Sequence, residues 1–154
     1  MISLLPHRAW ILVSGVDTEK FLQGQITVDV RQLSAGQSLL AAHCNPKGRI
    51  ISLFRILRYQ DGFLLNLPAD MLEIALSHFK KYSIFFKVNL TDVSQTLQVY
   101  GILQEPTLAG SRYAVGDTLG REYLITEKNL DAIADQAWHI MDLQQGYPMV
   151  YAHS

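Results

Sequence analysis

The chain has 154 residues, enough for one substantial domain or two small interlocked ones. Its 49% hydrophobic and 18% charged residues are typical of a globular protein, and its net charge of −1 argues against a global field that attracts nucleic acid or an anionic membrane. A single cysteine excludes an intramolecular disulfide, and no apolar stretch approaches the roughly 20 residues of a membrane span, so we expect a cytoplasmic protein.

The first residues predict a strand followed by a short helix. The apolar run 9–14 ends at Gly15 and indicates a buried strand. Asp17 suits the N-cap of a helix that continues to about Gln23, and Gly24 stands where a helix C′ glycine is common.

The middle of the chain predicts three antiparallel strands. Segments 37–43 and 49–59 are expected to form a hairpin, and Asp61-Gly62 is a turn signal that leads to a third strand at 63–67. Because 49–59 is largely apolar on both faces, it indicates a central strand. The first hairpin loop contains Asn, Lys and Arg, so it is either a site for an anionic ligand or only a hairpin loop.

The second half alternates helices and short strands. Asp70 followed by Glu73 resembles the capping box of a helix that begins near residues 68–70. Further predicted elements are strands at 84–90 and 97–103, a hairpin from 113–115 to 122–126, and a last helix capped by Asn129 and ended by Gly146 and Pro148. This order predicts an α+β fold of antiparallel sheets with flanking helices.

Several motifs resemble one known family. They are LQGQITVD at 22–29 and HCNPKGR at 43–49, with further similarity at 15–21, 80–82, 87–88, 138 and 145–148. These motifs resemble the N-terminal part of the YgfZ-type folate-binding proteins, which are bacterial relatives of the aminomethyltransferase (T-protein) of the glycine cleavage system. The similarity follows the order of the family over nearly the whole chain.

The resemblance implies the ferredoxin-like layers of the aminomethyltransferase folate-binding fold. We expect a first folate-binding subdomain from residues 1–38 plus 104–154, and an inserted ferredoxin-like subdomain at 39–103. The chain stops at Ser154, before the C-terminal half of the family fold. Sheet edges are therefore expected to lack partners, which favours aggregation or a homodimer.

The same resemblance implies a binding protein that catalyses no reaction itself. We expect a tetrahydrofolate-binding accessory protein, without metal, for the assembly or repair of iron–sulfur enzymes, including tRNA-modifying ones. Its partners would be folate and iron–sulfur client enzymes, with no membrane and no direct nucleic acid. The Lys-Gly-Cys-Tyr-x-Gly-Gln-Glu motif of the family is absent, and Cys44 is not its counterpart. His43 and Cys44 point to opposite faces of a strand, so together they hold no metal.

The resemblance also implies binding residues. Trp138 and Trp10 match folate-contacting tryptophans of the family, Trp10 with a two-residue shift in its spacing to Gly15, and an indole can stack on a flat pterin. From the residues alone, both are better explained as core side chains. Gln23, Gln25 and Asp29 are candidates for hydrogen bonds to the edges of the pterin. Their alternative role is to satisfy backbone groups at a helix end.

Basic residues are candidates for contact with the glutamate tail of a folate. Lys47 and Arg49 lie in the hairpin loop, and Lys80, Lys81 and Lys87 follow later in the chain. The alternative is that these side chains form a solvated basic face.

Catalysis is not expected. The related aminomethyltransferases carry acidic residues just after the hairpin loop, in a Gly-Gly-Ile-Ile-Asp-Asp-like run. Ser52 and Leu53 occupy those positions, and neither can act as a carboxylate base. Two alternatives remain: a folate-dependent aminomethyltransferase-like enzyme, or a non-binding structural fragment that dimerises.

Overall fold

The computed structural model describes residues 1–133 and 136–146. Three α-helices lie in this part of the chain: α1 Thr18–Gln23, α2 Leu72–Ser83 and α3 Gln136–Gln144. Its nine strands are β1 Ile2–Ser3, β2 Arg8–Ser14, β3 Ser38–Cys44, β4 Ile50–Tyr59, β5 Gly62–Pro68, β6 Asn89–Asp92, β7 Val99–Ile102, β8 Ser111–Ala114 and β9 Glu122–Ile125.

The strands form two antiparallel sheets. The larger sheet has the order β3-β4-β5-β2-β6, and the smaller has the order β1-β7-β9-β8. The larger sheet contains two interlocked βαβ units, β2-α1-β4 and β5-α2-β6. Strand β3 lies between α1 and β4 in the chain and is added at the edge of β4. The expected α+β class of antiparallel sheets with flanking helices is therefore confirmed.

The larger sheet lies between two apolar layers. On one face, α1 and α2 bury Phe21 and Phe79 against Phe54 and Leu65. Alternate residues of the same strands, among them Trp10, Leu57 and Leu64, point to the other face. There they pack against the smaller sheet and α3, which contribute Tyr123 and Trp138. Complete burial of each such side chain contributes about 1.5–3 kcal/mol, so both layers stabilise the sheet between them.

Asp17 occupies the predicted N-cap position of α1, but the side-chain capping expected at the start of α1 and of α2 does not form. The Asp70–Glu73 capping box does not form, because a short 3₁₀ turn at Ala69–Met71 precedes α2 and no side chain caps it. Asp17 does precede α1, but its carboxylate accepts the Lys87 backbone N–H at 2.8 Å instead of capping the helix. Gly24 follows α1 with φ −84°, so it does not use the left-handed conformation of a C′ glycine.

Two further elements differ from the prediction. The strand expected at 84–90 begins only at Asn89, because the Lys87 backbone bonds to Asp17 instead of to a strand. The last helix is described from Gln136 and does not begin at Asn129. The Ile133 backbone explains this, since it exchanges hydrogen bonds with Ile2 and Leu4 beside β1. The predicted helix end at Pro148 lies outside the described residues.

Each of the two sheets combines strands from both expected subdomains. β2, from the first expected subdomain, is hydrogen-bonded between β5 and β6, and β7, from the inserted one, belongs to the smaller sheet. The division into 1–38 plus 104–154 and 39–103 stays a prediction. None of the helices in the described residues has the length and apolar character needed to cross a membrane.

Candidate functional site

A cleft opens beside Trp138 at one end of the layer between the two sheets. It has a volume of about 330 Å³ and is formed by the β1–β2 connection and α3. Its lining residues are Leu5, His7, Arg8, Gln136, Trp138, His139 and Asp142. The volume lies at the lower end of the range for small-molecule sites, roughly 300–1,000 Å³. The cleft therefore has room for a small heterocycle.

Trp138 forms a wall of this cleft while staying 2% exposed. Its six-membered ring lies so close to Gly101 of β7 that a Cβ added to this glycine would approach ring atoms to 2.5 Å. The Arg121 guanidinium lies 4.5 Å from the ring centroid, in a cation–π contact. Backbone and guanidinium thus fix the indole in one position beside the cleft.

A buried network of charges supports the same wall. Arg8 donates to Asp142 at 3.0 Å, and Arg121 donates to the other oxygen of Asp142 at 2.9 Å. Arg121 also donates from Nε to Asp117. Burial is the largest single influence on Asp117 and raises its pKa, but Arg121 and the backbone N–H donors outweigh it and hold the pKa below its ordinary value. Two cations and two anions therefore compensate one another with little access to water.

A second, smaller pocket adjoins the cleft through Arg8 and Asp142, which line both. Asn66 lines this pocket, is 4% exposed, and its Oδ1 has no hydrogen-bond partner among the described residues. A buried amide oxygen without a donor is unfavourable by about 1–3 kcal/mol. The pocket therefore presents an acceptor that a ligand N–H group would satisfy.

The remaining walls of the small pocket are polar on one side and apolar on the other. Arg55 donates to the Val115 carbonyl at 2.7 Å, so its guanidinium is fixed. Burial raises the pKa of Tyr123 above its ordinary value, so its hydroxyl stays protonated and can donate. Leu53 supplies apolar surface at a position where the related aminomethyltransferases carry an acidic residue. The pocket offers hydrogen bonds and an ion-paired carboxylate, Asp142, but Leu53 supplies no base.

Trp10 lies next to this site but does not line either cavity. It is 4% exposed and packs edge to face on Tyr123, with ring centroids 5.5 Å apart. Tyr123 in turn packs against Trp138 at 5.9 Å. The two expected tryptophans are thus brought together through one tyrosine, and Trp10 supports the pocket from behind.

Gln23 and Asp29 bind each other and the backbone. Gln23 Nε2 donates to Asp29 Oδ1 at 2.9 Å, and Gln23 Oε1 accepts from the Val30 N–H at 2.9 Å. The hydrogen bond from the Arg31 side chain is the largest cause of the lowered pKa of Asp29. These contacts match the alternative role, the satisfaction of backbone and neighbouring groups at a helix end. Gln25 is half-buried and lines a different cleft, beside the β3–β4 loop.

Lys47 and Arg49 line neither of these two cavities. They are exposed in the β3–β4 loop, whereas Arg55, Asn66 and Trp10 lie opposite one another in the middle of the sheet. Six residues separate Arg49 from Arg55 along an extended strand, which corresponds to about 20 Å. The structure therefore places the expected aromatic and basic residues at two separate locations.

The residues that shape this site carry no recognisable sequence pattern. Arg8, Asn66, Arg121 and Asp142 form no motif, and their contacts join segments up to 134 residues apart. One signal was available: Asn66 interrupts the otherwise apolar strand GFLLNLP. Within residues 1–133 and 136–146 no three histidine, cysteine or acidic side chains are grouped so as to hold a metal ion.

The fold matches part of a solved structure. The chain superimposes on the glycine cleavage system aminomethyltransferase T from Bartonella henselae with a TM-score of 0.64 and 17% sequence identity, over 80% of this chain and 40% of that one. At this identity the match establishes part of the aminomethyltransferase fold.

A comparison of sequences identifies a homologous relative. The chain is 44% identical over 91 residues to the tRNA-modifying protein YgfZ of Enterobacter sp. (strain 638). The match includes 58% of this chain and 28% of the length of that relative. No protein-family model matches the chain. The chain is thus homologous in part to YgfZ, and the expected resemblance is confirmed.

Proposed function

We propose that the chain binds tetrahydrofolate, with the pterin in the cleft beside Trp138 and the adjoining pocket of Asn66. In this proposal the protein is an accessory to the assembly or repair of iron–sulfur enzymes, including tRNA-modifying ones. The interlocked βαβ layer is the ferredoxin-like part of the folate-binding fold. Homology to a tRNA-modifying protein, at 44% identity over 91 residues, supports the connection to tRNA modification in this proposal.

The unpaired Oδ1 of Asn66 carries the proposal. A pterin has N–H donors and ring acceptors along its edge, and its size suits a cleft of about 330 Å³ joined to a smaller polar pocket. Asn66 Oδ1 would accept from the pterin, while the Tyr123 hydroxyl, which interacts with the Asn66 side chain, lines the same pocket. A ligand that satisfies Asn66 removes the penalty of a buried acceptor and gains affinity from it.

Trp138 contributes as a rigid wall in this proposal. Because the Arg121 guanidinium covers its ring at 4.5 Å, we place the pterin against the indole edge rather than in a full face-to-face stack. Trp10 packs on Tyr123 and does not contact the pterin in this proposal. Lys47 and Arg49 line neither cavity and take no part in pterin binding in this proposal.

Titration of tryptophan fluorescence with tetrahydrofolate tests the proposal. Asn66→Leu keeps the volume of the side chain and removes the acceptor, so we expect at least a tenfold weaker Kd. Asn89→Leu, the same change on the exposed strand β6, is the matched control and should leave the Kd unchanged. Equal affinity of both variants would refute the role of Asn66, and quenching that survives Trp138→Phe unchanged would remove Trp138 from the site.

Leu53 argues against the enzymatic alternative. It lines the pocket of Asn66, where an aminomethyltransferase needs a carboxylate beside the reacting carbon. Ser52 is fully buried on the opposite face of β4, beneath the helices. We therefore expect no folate-dependent aminomethyl transfer from methylamine, and a measurable rate in that assay would revive the alternative.

A further inference from the structure

Charge is distributed unevenly along the chain despite the net charge of −1. No aspartate or glutamate occurs in 20–28, 30–60 or 74–91, although these segments hold nine of the 13 lysines and arginines. The nine are Lys20, Arg31, Lys47, Arg49, Arg55, Arg58, Lys80, Lys81 and Lys87. The overall balance therefore conceals a strongly basic part of the chain.

The fold brings these three segments together around one cleft. The cleft has a volume of about 320 Å³ and lies between the end of α1, the β3–β4 loop and the last turn of α2. Its lining residues are Gly24, Gln25, Ile26, Thr27, Cys44, Asn45, Pro46 and Tyr82. We call it the hairpin cleft. Lys47 follows Pro46 directly, and Lys80 and Lys81 directly precede Tyr82.

The cations closest in sequence to the lining of the hairpin cleft have no acidic partners among the described residues. Lys47, Arg49, Lys80 and Lys81 are exposed, and their side chains form no ion pair within residues 1–133 and 136–146. Exposed cations without neighbouring acids create a local positive potential, which attracts a polyanion even when the net charge of the protein is near zero.

The loop that carries two of these cations is held in a defined shape. Asn45 Oδ1 accepts from the backbone N–H groups of Lys47 and Arg49, at 2.9 and 3.0 Å. The Asn45 N–H donates to the Arg49 carbonyl at 2.8 Å, and Gly48 takes φ +79° at the turn. Because the backbone is already ordered, a ligand would need to fix only the two side chains.

We propose that the hairpin cleft docks a single-stranded segment of RNA. In this arrangement Lys47 and Arg49 contact successive phosphates, and the half-buried Tyr82 ring stacks on a base. Cations beside an aromatic wall are the combination that single-stranded nucleic acid uses for binding. A polyglutamate tail or an anionic membrane would use the cations but would have no use for the aromatic ring.

Fluorescence anisotropy with a fluorescein-labelled, single-stranded 12-nucleotide RNA and the full chain tests this proposal. Lys47→Glu should weaken binding at least tenfold at 100 mM salt and reduce the dependence of log K on log salt by about 0.7. The matched control is Lys128→Glu, the same charge reversal at an exposed lysine of the β9 side, with an expected change below twofold. Equal losses in both variants would mean non-specific attraction and would overturn the proposal.

Tyr82 and two competing ligands provide the remaining tests. Tyr82→Leu keeps an apolar side chain and should weaken RNA binding at least fivefold without changing the salt dependence; circular dichroism checks that the variant folds. Pentaglutamate and vesicles with anionic phospholipid are the competing probes. Binding of either probe with loss of affinity in Lys47→Glu, while the RNA does not bind, would assign the cleft to another ligand and overturn the proposal.

Discussion

The cleft beside Trp138 and the hairpin cleft use charged residues in opposite ways. At the first, the side chains of Arg121, Asp117 and Asp142 are buried, Arg8 is half-buried, and the four residues form ion pairs with one another. At the second, Lys47 and its neighbours are exposed and have no acidic partner in the described residues. The same types of side chain therefore support the structure at one location and remain available for a ligand at the other.

Desolvation explains why the difference matters. Loss of one member of a buried ion network leaves an uncompensated charge in a low-dielectric environment, which is strongly destabilising. An exposed lysine is already solvated, so its removal changes stability little but changes the local potential. Stability measurements should therefore distinguish the two clefts before any ligand is added.

The largest expected effect is at Arg121. Arg121→Met keeps much of the side-chain length but leaves Asp117 and Asp142 without this partner, so we expect a loss of about 3–5 kcal/mol in the free energy of unfolding. Urea denaturation measures it. Arg31→Met, which breaks only the exposed pair with Asp29, serves as the control and should lose less than about 1 kcal/mol. Similar losses in both variants would contradict the comparison.

The contact between Gly101 and Trp138 should also be sensitive. Gly101→Ala places a Cβ 2.5 Å from the indole, so we expect a loss of about 1–3 kcal/mol and a lower Tm. Gly24→Ala is the control, because its added Cβ would come no closer than 3.6 Å to another group. An unchanged Tm in Gly101→Ala would show that the Trp138 wall is not rigid.

His43, at the hairpin end of β3, makes the free energy of unfolding depend on pH. Burial, with a smaller contribution from His78, lowers its pKa from 6.5 to about 4, and the ring stacks on Phe79 at 4.1 Å. Between pH 6.5 and 4 the unfolded state binds more protons than the folded state, so stability falls as the pH falls, by at most about 3 kcal/mol.

Denaturation of the protein and of His43→Phe between pH 4 and 7 measures this effect. Phenylalanine retains the stack on Phe79 and cannot be protonated. The difference in unfolding free energy between the two proteins should therefore change across this window, while carboxylate titration cancels. A constant difference would show that His43 is not the titrating group.

The smallest effect is expected at the hairpin loop. Lys47→Ala should change the free energy of unfolding by less than about 0.5 kcal/mol, because the side chain is exposed and the loop is held by Asn45. Differential scanning calorimetry checks this. A loss above 1 kcal/mol would show that Lys47 stabilises the fold and would weaken the contrast between the two clefts.

Local patterns predicted the elements whose partners are close in the sequence. The β3–β4–β5 strands follow from alternation and from the Asp61-Gly62 turn, and they lie within one or two residues of the predicted bounds. The last helix was placed too early, because the pairing of Ile133 with β1 joins residues that are far apart in the chain. The strand expected at 84–90 begins only at Asn89, again because of a contact between residues far apart in the chain, here between Lys87 and Asp17.

The candidate site was predicted only in part. The resemblance indicated Trp138, which does line a cleft. The network of Arg8, Arg121 and Asp142 depends on contacts that join α3 to β2, 134 residues away in the chain, and to Arg121 beside β9. The segregation of charge was visible in the sequence, since 30–60 contains no acidic residue. Its meaning depends on the fold, which brings the basic segments together around Tyr82.

Nuclear magnetic resonance of the ¹⁵N-labelled chain during titration with tetrahydrofolate tests the central claim most directly. The account predicts that the Trp138 indole N–H and the Asn66 side-chain amide shift in a saturable manner, while the Gly48 amide in the hairpin loop does not. Shifts at Gly48 with Trp138 and Asn66 unmoved would contradict it, because the ligand would then bind at the hairpin cleft.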